Sequence, residues 1–419
     1  MKKWWQKILK RIGPGFITGA SDDDPSGIIT YSQTGAIFGY TQLWLTPLCF
    51  PIMAAIQEMS GRIGMVTGKG LSALLKRYYP KWLLYTTIAL LFIANTINIA
   101  ADLGAMAASL QMTIGLPFAF WMVFVSIFIV IIEIFVSYNE YSKILKFFCL
   151  SLLAYFFTAF VVHQDWGAIM KSTIVPQFIY SKEYFLNIVA FLGTSITPYC
   201  FFWQTSEEVE EEVVNQNYDM EGNTQPKVTK DDIKEMREDT FIGMGFSQLA
   251  TFMIVLTTAA TLHVNGILDI QTAPQAAQAL RPLAGDLAYL LFAVGIIGTG
   301  LLAIPILAGA NAYAIAEAAG WREGLGKKLK DAPLFYGIIA VSTLIGLLMN
   351  FIGINPMVAL YYSAAVNGVI APILIFVILA IGRNKKIMGE HANGKLSTIF
   401  NSVGALIMGV SAVFLLINL

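Results

Sequence analysis

The chain has 419 residues, of which 56% are hydrophobic and only 13% are charged. This balance excludes an ordinary soluble globular protein and is typical of a polytopic helical membrane protein. The 27 basic and 27 acidic residues cancel, so no excess of positive charge indicates nucleic-acid binding. The three cysteines Cys49, Cys149 and Cys200 lie in apolar stretches without metal-type spacing, which argues against a disulfide or zinc framework.

Eleven apolar segments are long enough to span a bilayer. They are predicted at 13–38, 43–65, 82–112, 116–138, 144–163, 184–206, 240–262, 284–312, 333–352, 357–381 and 395–417. Basic residues concentrate in the N-terminal residues 1–12 and in every second loop, whereas the alternate loops contain few. Because basic loops stay in the cytoplasm, we predict a multi-pass protein of the cell membrane with a cytoplasmic N-terminus and an extracellular C-terminus.

The first segment is interrupted at its middle by three acids, Asp22 to Asp24, followed by Pro25, Ser26 and Gly27. Proline removes a backbone donor and clashes with the preceding turn, so the helix is predicted to break there. Broken backbone at membrane depth is tolerated only inside protein or beside a water-filled cavity. One aspartate near the bilayer centre costs about 2.5–3.5 kcal/mol, and a bound cation is the simplest compensation.

The sixth segment has a second interruption, Gly193-Thr-Ser-Ile-Thr-Pro-Tyr-Cys200. Breaks in the first and sixth segments indicate an inverted repeat of five plus five helices, with the substrate between the breaks at mid-bilayer. The predicted repeats cover 13–163 and 184–381, and 395–417 forms an additional eleventh helix. A polar cytoplasmic insert is predicted at 207–239. Its acidic run is expected to be a solvated helical extension, and a cation-attracting vestibule is the alternative.

Candidate ligands at both breaks are oxygen atoms. Asp24 is the favoured direct ligand, while Asp23 and Asp22 point to other faces of the same turn, where they attract cations, bind through water, or pair structurally. Thr197 offers a hydroxyl, and Thr194 or Ser195 a hydroxyl or carbonyl. Such a set suits the hard ions Mg²⁺, Mn²⁺ or Ca²⁺. Cys200, a nearby soft group, is expected to pack.

Other acids also lie within apolar segments. For Asp102 and Glu133, an ion or proton pathway and a structural role both remain open. Glu58 and Glu317 are expected at the interface or paired with basic residues. The three histidines lie near loops, which leaves no intramembrane histidine as a proton relay.

The stretches that carry a family resemblance are GPGFITGASDDDPSGIITYSQTGAIFGY, RIGMVTGKGLSALLKRYYP, LGTSITPY, GINPMVAL and RNKKIMGE. Together they resemble the natural resistance-associated macrophage protein (NRAMP) transporters. The resemblance implies an all-α membrane protein with a LeuT-type fold, broken helices 1 and 6, and proton-linked transport of Mn²⁺ and Fe²⁺.

The departures from the family's motifs concern its metal ligands first. Asp24 and Pro25 match the DPGN motif of helix 1, whereas Gly27 stands in place of its asparagine. In helix 6, Thr197 stands where the family has the methionine of MPHN, and Cys200 where it has asparagine. The soft thioether and the amide are thus lost, and both replacements enlarge the predicted cavity.

The proton route also departs from the family. Asp102 matches the family's helix 3 aspartate, but Asn95 and Ala105 stand where glutamates are usual, and the helix 9 arginine pair is replaced near Phe335 and Tyr336.

This pattern is similar to that of the NRAMP-related magnesium transporters. It predicts an importer of partly hydrated Mg²⁺, also of Mn²⁺, working by alternating access with weak or no proton coupling. One alternative is a proton-coupled Mn²⁺/Fe²⁺ transporter of the ordinary type, and a second is a sodium-coupled carrier of small organic solutes on the same fold. No enzyme motif is present, and neither an enzymatic activity nor a cofactor is expected. The expected partners are the transported ion and the lipid bilayer.

Overall fold

The computed structural model describes residues 13–136, 138–214, 226–352 and 356–418, and in these ranges the regular structure is helical. The predicted N-terminal residues 1–12 and part of the predicted insert lie outside the described residues. The α-helices in chain order are α1 (Pro14–Ser21), α2 (Pro25–Phe38), α3 (Leu45–Thr67), α4 (Leu71–Tyr78), α5 (Lys81–Ile114), α6 (Phe118–Phe135), α7 (Tyr138–Phe148), α8 (Leu153–Val161), α9 (Trp166–Ile174), α10 (Lys182–Ser195), α11 (Pro198–Val214), α12 (Lys230–Thr258), α13 (Ala273–Ala319), α14 (Pro333–Met349), α15 (Pro356–Arg383), α16 (Lys385–Met388) and α17 (Lys395–Asn418).

Eight helical stretches in the described ranges are long and apolar enough to cross a membrane. They are Lys81–Ile114, Phe118–Phe135, Glu140–Val161, Lys182–Val214, Lys230–His263, Gly285–Ala319, Val366–Arg383 and Lys395–Ile417. The first predicted segment falls short because its break leaves two short helices, α1 and α2, and the second, α3, contains polar residues such as Glu58 and Arg62. The helix α14 is apolar but has only 17 residues. The count of eleven therefore stays a prediction.

Both halves of the first broken helix pack directly on α12. A Cβ atom at Gly19 of α1 would clash with the backbone of Gly243 on α12, and one at Gly35 of α2 would clash with Thr258 and the carbonyl of Val255. Helices in a membrane approach this closely only where small residues line the contact. The glycines thus allow α12 to lie in close contact with both halves of the broken helix.

The end of the molecule at which α1 begins is closed by polar contacts. Asp239 of α12 accepts hydrogen bonds from the backbone N–H groups of Gly13 (2.8 Å) and Phe16 (3.0 Å) at the start of α1. Glu58 pairs with Arg62 at 2.9 Å and with Arg237 at 3.1 Å, which confirms its predicted pairing with basic residues. A carboxylate at a helix N-terminus and a buried ion pair both resist separation.

Glu317 departs from the expected pairing with a base. Its carboxylate accepts hydrogen bonds from the N–H of Ala73 (3.1 Å) and the hydroxyl of Ser206 (2.9 Å). It therefore joins the first turn of α4 to α11. In the adjacent loop, burial together with the carboxylates of Glu317 and Glu210 raises the pKa of Glu323 to about 10.

The expectation of a solvated acidic extension after the second break is wrong. The acids Glu207, Glu208, Glu210 and Glu212 of α11 are only 2–3% exposed. Gln204 donates to Glu208 at 2.8 Å, and the Tyr313 hydroxyl of α13 donates to Glu210 at 3.0 Å. A dense run of acidic residues predicts a solvent-exposed helix. Here, however, polar partners from other helices cover the acidic side chains.

Candidate metal-binding site

The first break follows from the chemistry of its own residues. Helix α1 ends at Ser21 and α2 begins at Pro25, which occupies the first helical position, where a missing N–H costs nothing. Asp24 is the N-cap of α2, and its Oδ1 accepts from the N–H of Gly27 and the hydroxyl of Ser26, both at 2.6 Å. The carboxylate favoured as a ligand thus lies at the start of the second half-helix, whereas Asp22 ends the first.

The second break lies directly against the first. Helix α10 ends at Ser195 and α11 begins at Pro198, with Thr197 between them. The Thr197 hydroxyl donates to Asp22 Oδ1 at 2.8 Å, and the Tyr199 hydroxyl donates to the carbonyl of Ser21 at 2.9 Å. The Ser21 carbonyl, which belongs to the end of a half-helix, thereby gains a partner. The described structure brings the two predicted breaks into contact.

The three consecutive aspartates are buried and point to three different partners. Asp22 faces the second break, where Thr197 and the thiol of Cys200 (3.7 Å) are its partners. Asp23 faces α12, where the Thr251 hydroxyl donates to its Oδ1 at 2.8 Å. Asp24 borders a cavity. Of the three aspartates, Asp24 is the one that lines this cavity.

This cavity has a volume of about 40 Å³. Its lining consists of Asp24, Ser26, Thr30, Asn98, Gly193, Thr194, Thr197, Leu360 and Asn367. A single water needs roughly 10–15 Å³ by the same measure, so an ion with some of its water fits. The polar lining groups are oxygen-bearing, and neither sulfur nor imidazole is among them.

The cavity contains one carboxylate, not a cage of them. Within the described ranges, no group of three or more histidine, cysteine, aspartate or glutamate side chains is placed to hold a metal ion. Mg²⁺ is commonly bound by one or two carboxylates while it keeps several waters. The arrangement of Asp24 with hydroxyl and amide groups suits an incompletely dehydrated hard ion better than a fully dehydrated soft one.

The other candidates from the second break divide between the cavity and its surroundings. Thr194 and Thr197 line the cavity, whereas Ser195 turns away and meets the hydroxyl of Tyr31 at 3.1 Å. Gly27 does not line the cavity but lies directly behind two residues that do. A Cβ atom at Gly27 would come within 3.2 Å of Thr194 Cγ2 and 3.3 Å of Asp24 Oδ1. A larger side chain at Gly27 would therefore press on the residues of the site.

Two asparagines of the site were not predicted from the sequence. Asn98 of α5 lines the cavity and accepts a hydrogen bond from Ser363 at 2.7 Å. Asn367 of α15 is 3% exposed, and its side-chain oxygen has no hydrogen-bond partner among the described residues. Polar residues in otherwise apolar segments are the signal that could have found both.

Asp102 and Glu133 occupy different surroundings. Asp102 Oδ1 accepts from the N–H of Ser26 at 3.0 Å, so this buried carboxylate adjoins the site, and its Oδ2 has no partner in the described structure. Glu133 is buried in α6, outside the cavity lining, and neither of its carboxylate oxygens has a described partner. Of the two, Asp102 contacts a residue of the cavity lining, and neither lines the cavity itself.

A chain of neutral groups lies where the resemblance implies an acidic proton route. Asn95 of α5 donates to the side chain of Asn311 on α13 at 3.0 Å, and Asn311 donates to Ser342 on α14 at 3.3 Å. At the start of α14, the Tyr336 hydroxyl donates to the carbonyl of Lys327 at 2.7 Å. Amides and hydroxyls in these positions do not take up and release protons near neutral pH as carboxylates can.

Comparison with known proteins agrees with these features. The family model described as natural resistance-associated macrophage protein-like matches residues 15–418. A divalent metal cation transporter MntH of Caldanaerobacter subterraneus is 27% identical over 424 residues, which cover 99% of this chain and 94% of that protein.

Solved structures show the same fold at low sequence identity. The manganese transporter of Eremococcus coleocola, in complex with an aromatic bis-isothiourea compound, superposes with a TM-score of 0.77 at 14% identity, over 99% of this chain and 87% of that one. The nucleobase-cation-symport-1 transporter Mhp1 gives a TM-score of 0.62 at 13% identity, over 96% and 91% of the two chains. These neighbours confirm the predicted LeuT-type fold.

The expectation that the chain is not an enzyme is also confirmed, since the homologues are membrane transporters that carry no cofactor. The match of the family model over nearly the whole chain shows that this protein belongs to the natural resistance-associated macrophage protein family.

Proposed function

We propose that the protein imports divalent metal cations across the cell membrane, with partly hydrated Mg²⁺ as the preferred ion and Mn²⁺ as a second substrate. The observation that carries this proposal is the oxygen-lined cavity at the two helix breaks, with Asp24 as its carboxylate. The names of the relatives, a divalent metal cation transporter and a manganese transporter, support the substrate class. The preference for Mg²⁺ rests on the donor set of this chain.

The ion selectivity of the cavity follows from its lack of sulfur ligands and from its space for water. Thiolate and thioether ligands favour softer metals, whereas hydroxyl, carboxylate and amide oxygens suit Mg²⁺ and Mn²⁺. Cys200 Sγ lies 3.3 Å from the Thr197 hydroxyl and does not line the cavity. A site without a soft ligand does not discriminate against abundant hard ions. Because Mg²⁺ is reluctant to dehydrate, remaining space for water favours it.

The orientation of the cavity supports alternating access. The cavity is bordered by Thr30 of α2 and Gly193 of α10. With the N-terminus in the cytoplasm, as predicted, these two half-helices lie on the extracellular side of the breaks. At the opposite end, the contacts of Asp239 with α1 and of Glu317 with α4 and α11 close the molecule. Movement of the broken helices would then open the inner end around a fixed site.

Import in this scheme is driven by the membrane potential. A doubly charged ion that crosses 100 mV gains about 4.6 kcal/mol, twice the value for one charge. The neutral series Asn95, Asn311 and Ser342 supports weak or absent proton coupling. Proton-coupled Mn²⁺ import is the second candidate, favoured by Asp102, whose unpartnered Oδ2 lies beside the site.

Flux into proteoliposomes distinguishes the two candidates. We expect Mg²⁺ uptake that increases with an inside-negative potential and leaves the lumenal pH unchanged, and we expect Asp24→Ala to abolish it. The matched control is Asp165→Ala, which removes another aspartate N-cap, that of α9, far from the cavity. Absence of Mg²⁺ flux, together with Mn²⁺ uptake that acidifies the lumen, would reject the magnesium proposal and favour the proton-coupled one.

A further inference from the structure

A second group of buried oxygens lies on the other side of the first break, around Asp23. The Asp23 side chain is completely buried. Its Oδ1 accepts a hydrogen bond from the Thr251 hydroxyl at 2.8 Å, whereas its Oδ2 has no partner among the described residues. A buried polar atom without a partner requires an explanation, and an absent ion or water is among the usual ones.

Another buried oxygen lies beside this carboxylate. Ser247 precedes Thr251 by four residues on α12, so both lie on the same face of that helix. The Ser247 hydroxyl is buried, makes no well-formed hydrogen bond within the described ranges, and lies within reach of the Asp23 carboxylate. Two elements thus direct oxygen atoms to one place: the first break and α12.

The charge of this place is uncompensated. No ion pair found in the described structure includes Asp23, and its charged neighbours along the chain are Asp22 and Asp24. The C-terminal end of α1 adds partial negative charge. Removing a carboxylate from water without a positive partner is strongly unfavourable. A bound cation would compensate the charge and also satisfy the free hydroxyl lone pairs.

We propose that Asp23, Ser247 and Thr251 form a second cation site, separate from the metal cavity, which takes one sodium ion. Asp23 lies outside the lining of the metal cavity, so an ion here must shed its water, which Mg²⁺ does reluctantly and a monovalent ion does more readily. Oxygen ligands suit a hard cation, and the C-terminal ends of interrupted helices are places where transporters bind Na⁺. The proposal does not depend on which divalent ion the protein carries.

Thermal unfolding of the full-length protein in detergent tests this site. The midpoint is measured in NaCl and in choline chloride at equal ionic strength, with divalent ions removed by chelation. A ligand that binds only the folded state raises the midpoint as its concentration rises. We expect Na⁺ to raise the midpoint of the wild type, and we expect Asp23→Asn to lose this response.

Milder variants keep the test informative if Asp23→Asn fails to fold. Ser247→Ala and Thr251→Val each remove one oxygen, and we expect each to weaken the apparent Na⁺ affinity about tenfold, as loss of one neutral contact does. Ser109→Ala is the matched control, because this buried serine of α5 also has a hydroxyl without a described partner. Equal midpoints for the wild type in the two salts would overturn the proposal, as would an unchanged Na⁺ response in both milder variants.

Discussion

Asp24 combines two roles that substitution can separate. Its Oδ1 caps α2 through the N–H of Gly27, and the same carboxylate supplies the negative charge of the cavity. Asparagine caps a helix as well as aspartate does, whereas alanine does not cap. Asp24→Asn should therefore keep the break intact while removing the charge that a divalent ion needs, and Asp24→Ala should lose both.

The magnitudes follow from the contacts. Loss of an N-cap costs about 0.5–2 kcal/mol, and loss of the Ser26 hydrogen bond costs roughly 0.5–1.5 kcal/mol more. We therefore expect Asp24→Ala to lower the free energy of unfolding without metal and Asp24→Asn to leave it nearly unchanged. At an ion concentration of 100 times Kd, bound metal stabilises the wild type by about 2.7 kcal/mol. Neither variant should gain this increment.

The assay is thermal unfolding of the purified protein during titration with Mg²⁺ and with Mn²⁺. Asp165→Ala is the control, because Asp165 is an exposed N-cap that accepts from the N–H of Ala168 at 3.1 Å. This control should respond to metal like the wild type. Full metal-dependent stabilisation of Asp24→Asn would refute the ligand role of the carboxylate. A loss of metal-free stability in Asp24→Asn equal to that in Asp24→Ala would refute the capping argument.

Three further predictions concern the surroundings of the cavity and the end of the molecule predicted to be cytoplasmic. Cys200→Ser should change Mn²⁺ affinity less than about twofold by calorimetry, because the thiol faces Asp22 and lies outside the lining; a larger loss would place sulfur on the metal. Gly27→Asn should lower Mg²⁺ uptake relative to Mn²⁺ in competition assays by filling space beside Thr194 and adding the amide found in the family motif; an unchanged ratio would contradict this. Glu323 keeps its proton in the folded state up to a pKa of about 10 but releases it near 4.5 when unfolded, so wild-type stability should fall as pH rises between these values. The thermal unfolding midpoint of Glu323→Gln should therefore rise relative to that of the wild type between pH 5 and pH 8. A difference between the two midpoints that does not change with pH would contradict the burial of Glu323.

The sequence predicted the breaks well because their causes are local. Proline and glycine within apolar segments interrupt helices wherever the surroundings allow it. The spacing of the two breaks along the chain then placed Asp24 and Thr197 on opposite sides of one site. The family resemblance added the fold, and the described structure confirms that the breaks meet.

The parts that local pattern could not provide depend on tertiary contacts. The three consecutive aspartates alone do not indicate that Asp22 contacts the second break and Asp23 contacts α12, because these partners are distant in the sequence. Asn98 and Asn367 lie on helices without a break, so the pattern of interrupted segments does not indicate them. The acids of α11 resemble a solvated run because sequence does not show the buried polar partners, such as Tyr313, that cover them.

X-ray absorption spectroscopy of the Mn²⁺-loaded protein tests the central claim, an oxygen-only metal site, most directly. The account predicts a first coordination shell of oxygen scatterers alone, unchanged in Cys200→Ser and lost in Asp24→Asn. A sulfur scatterer in the first shell, or a shell unaffected by Asp24→Asn, would contradict it.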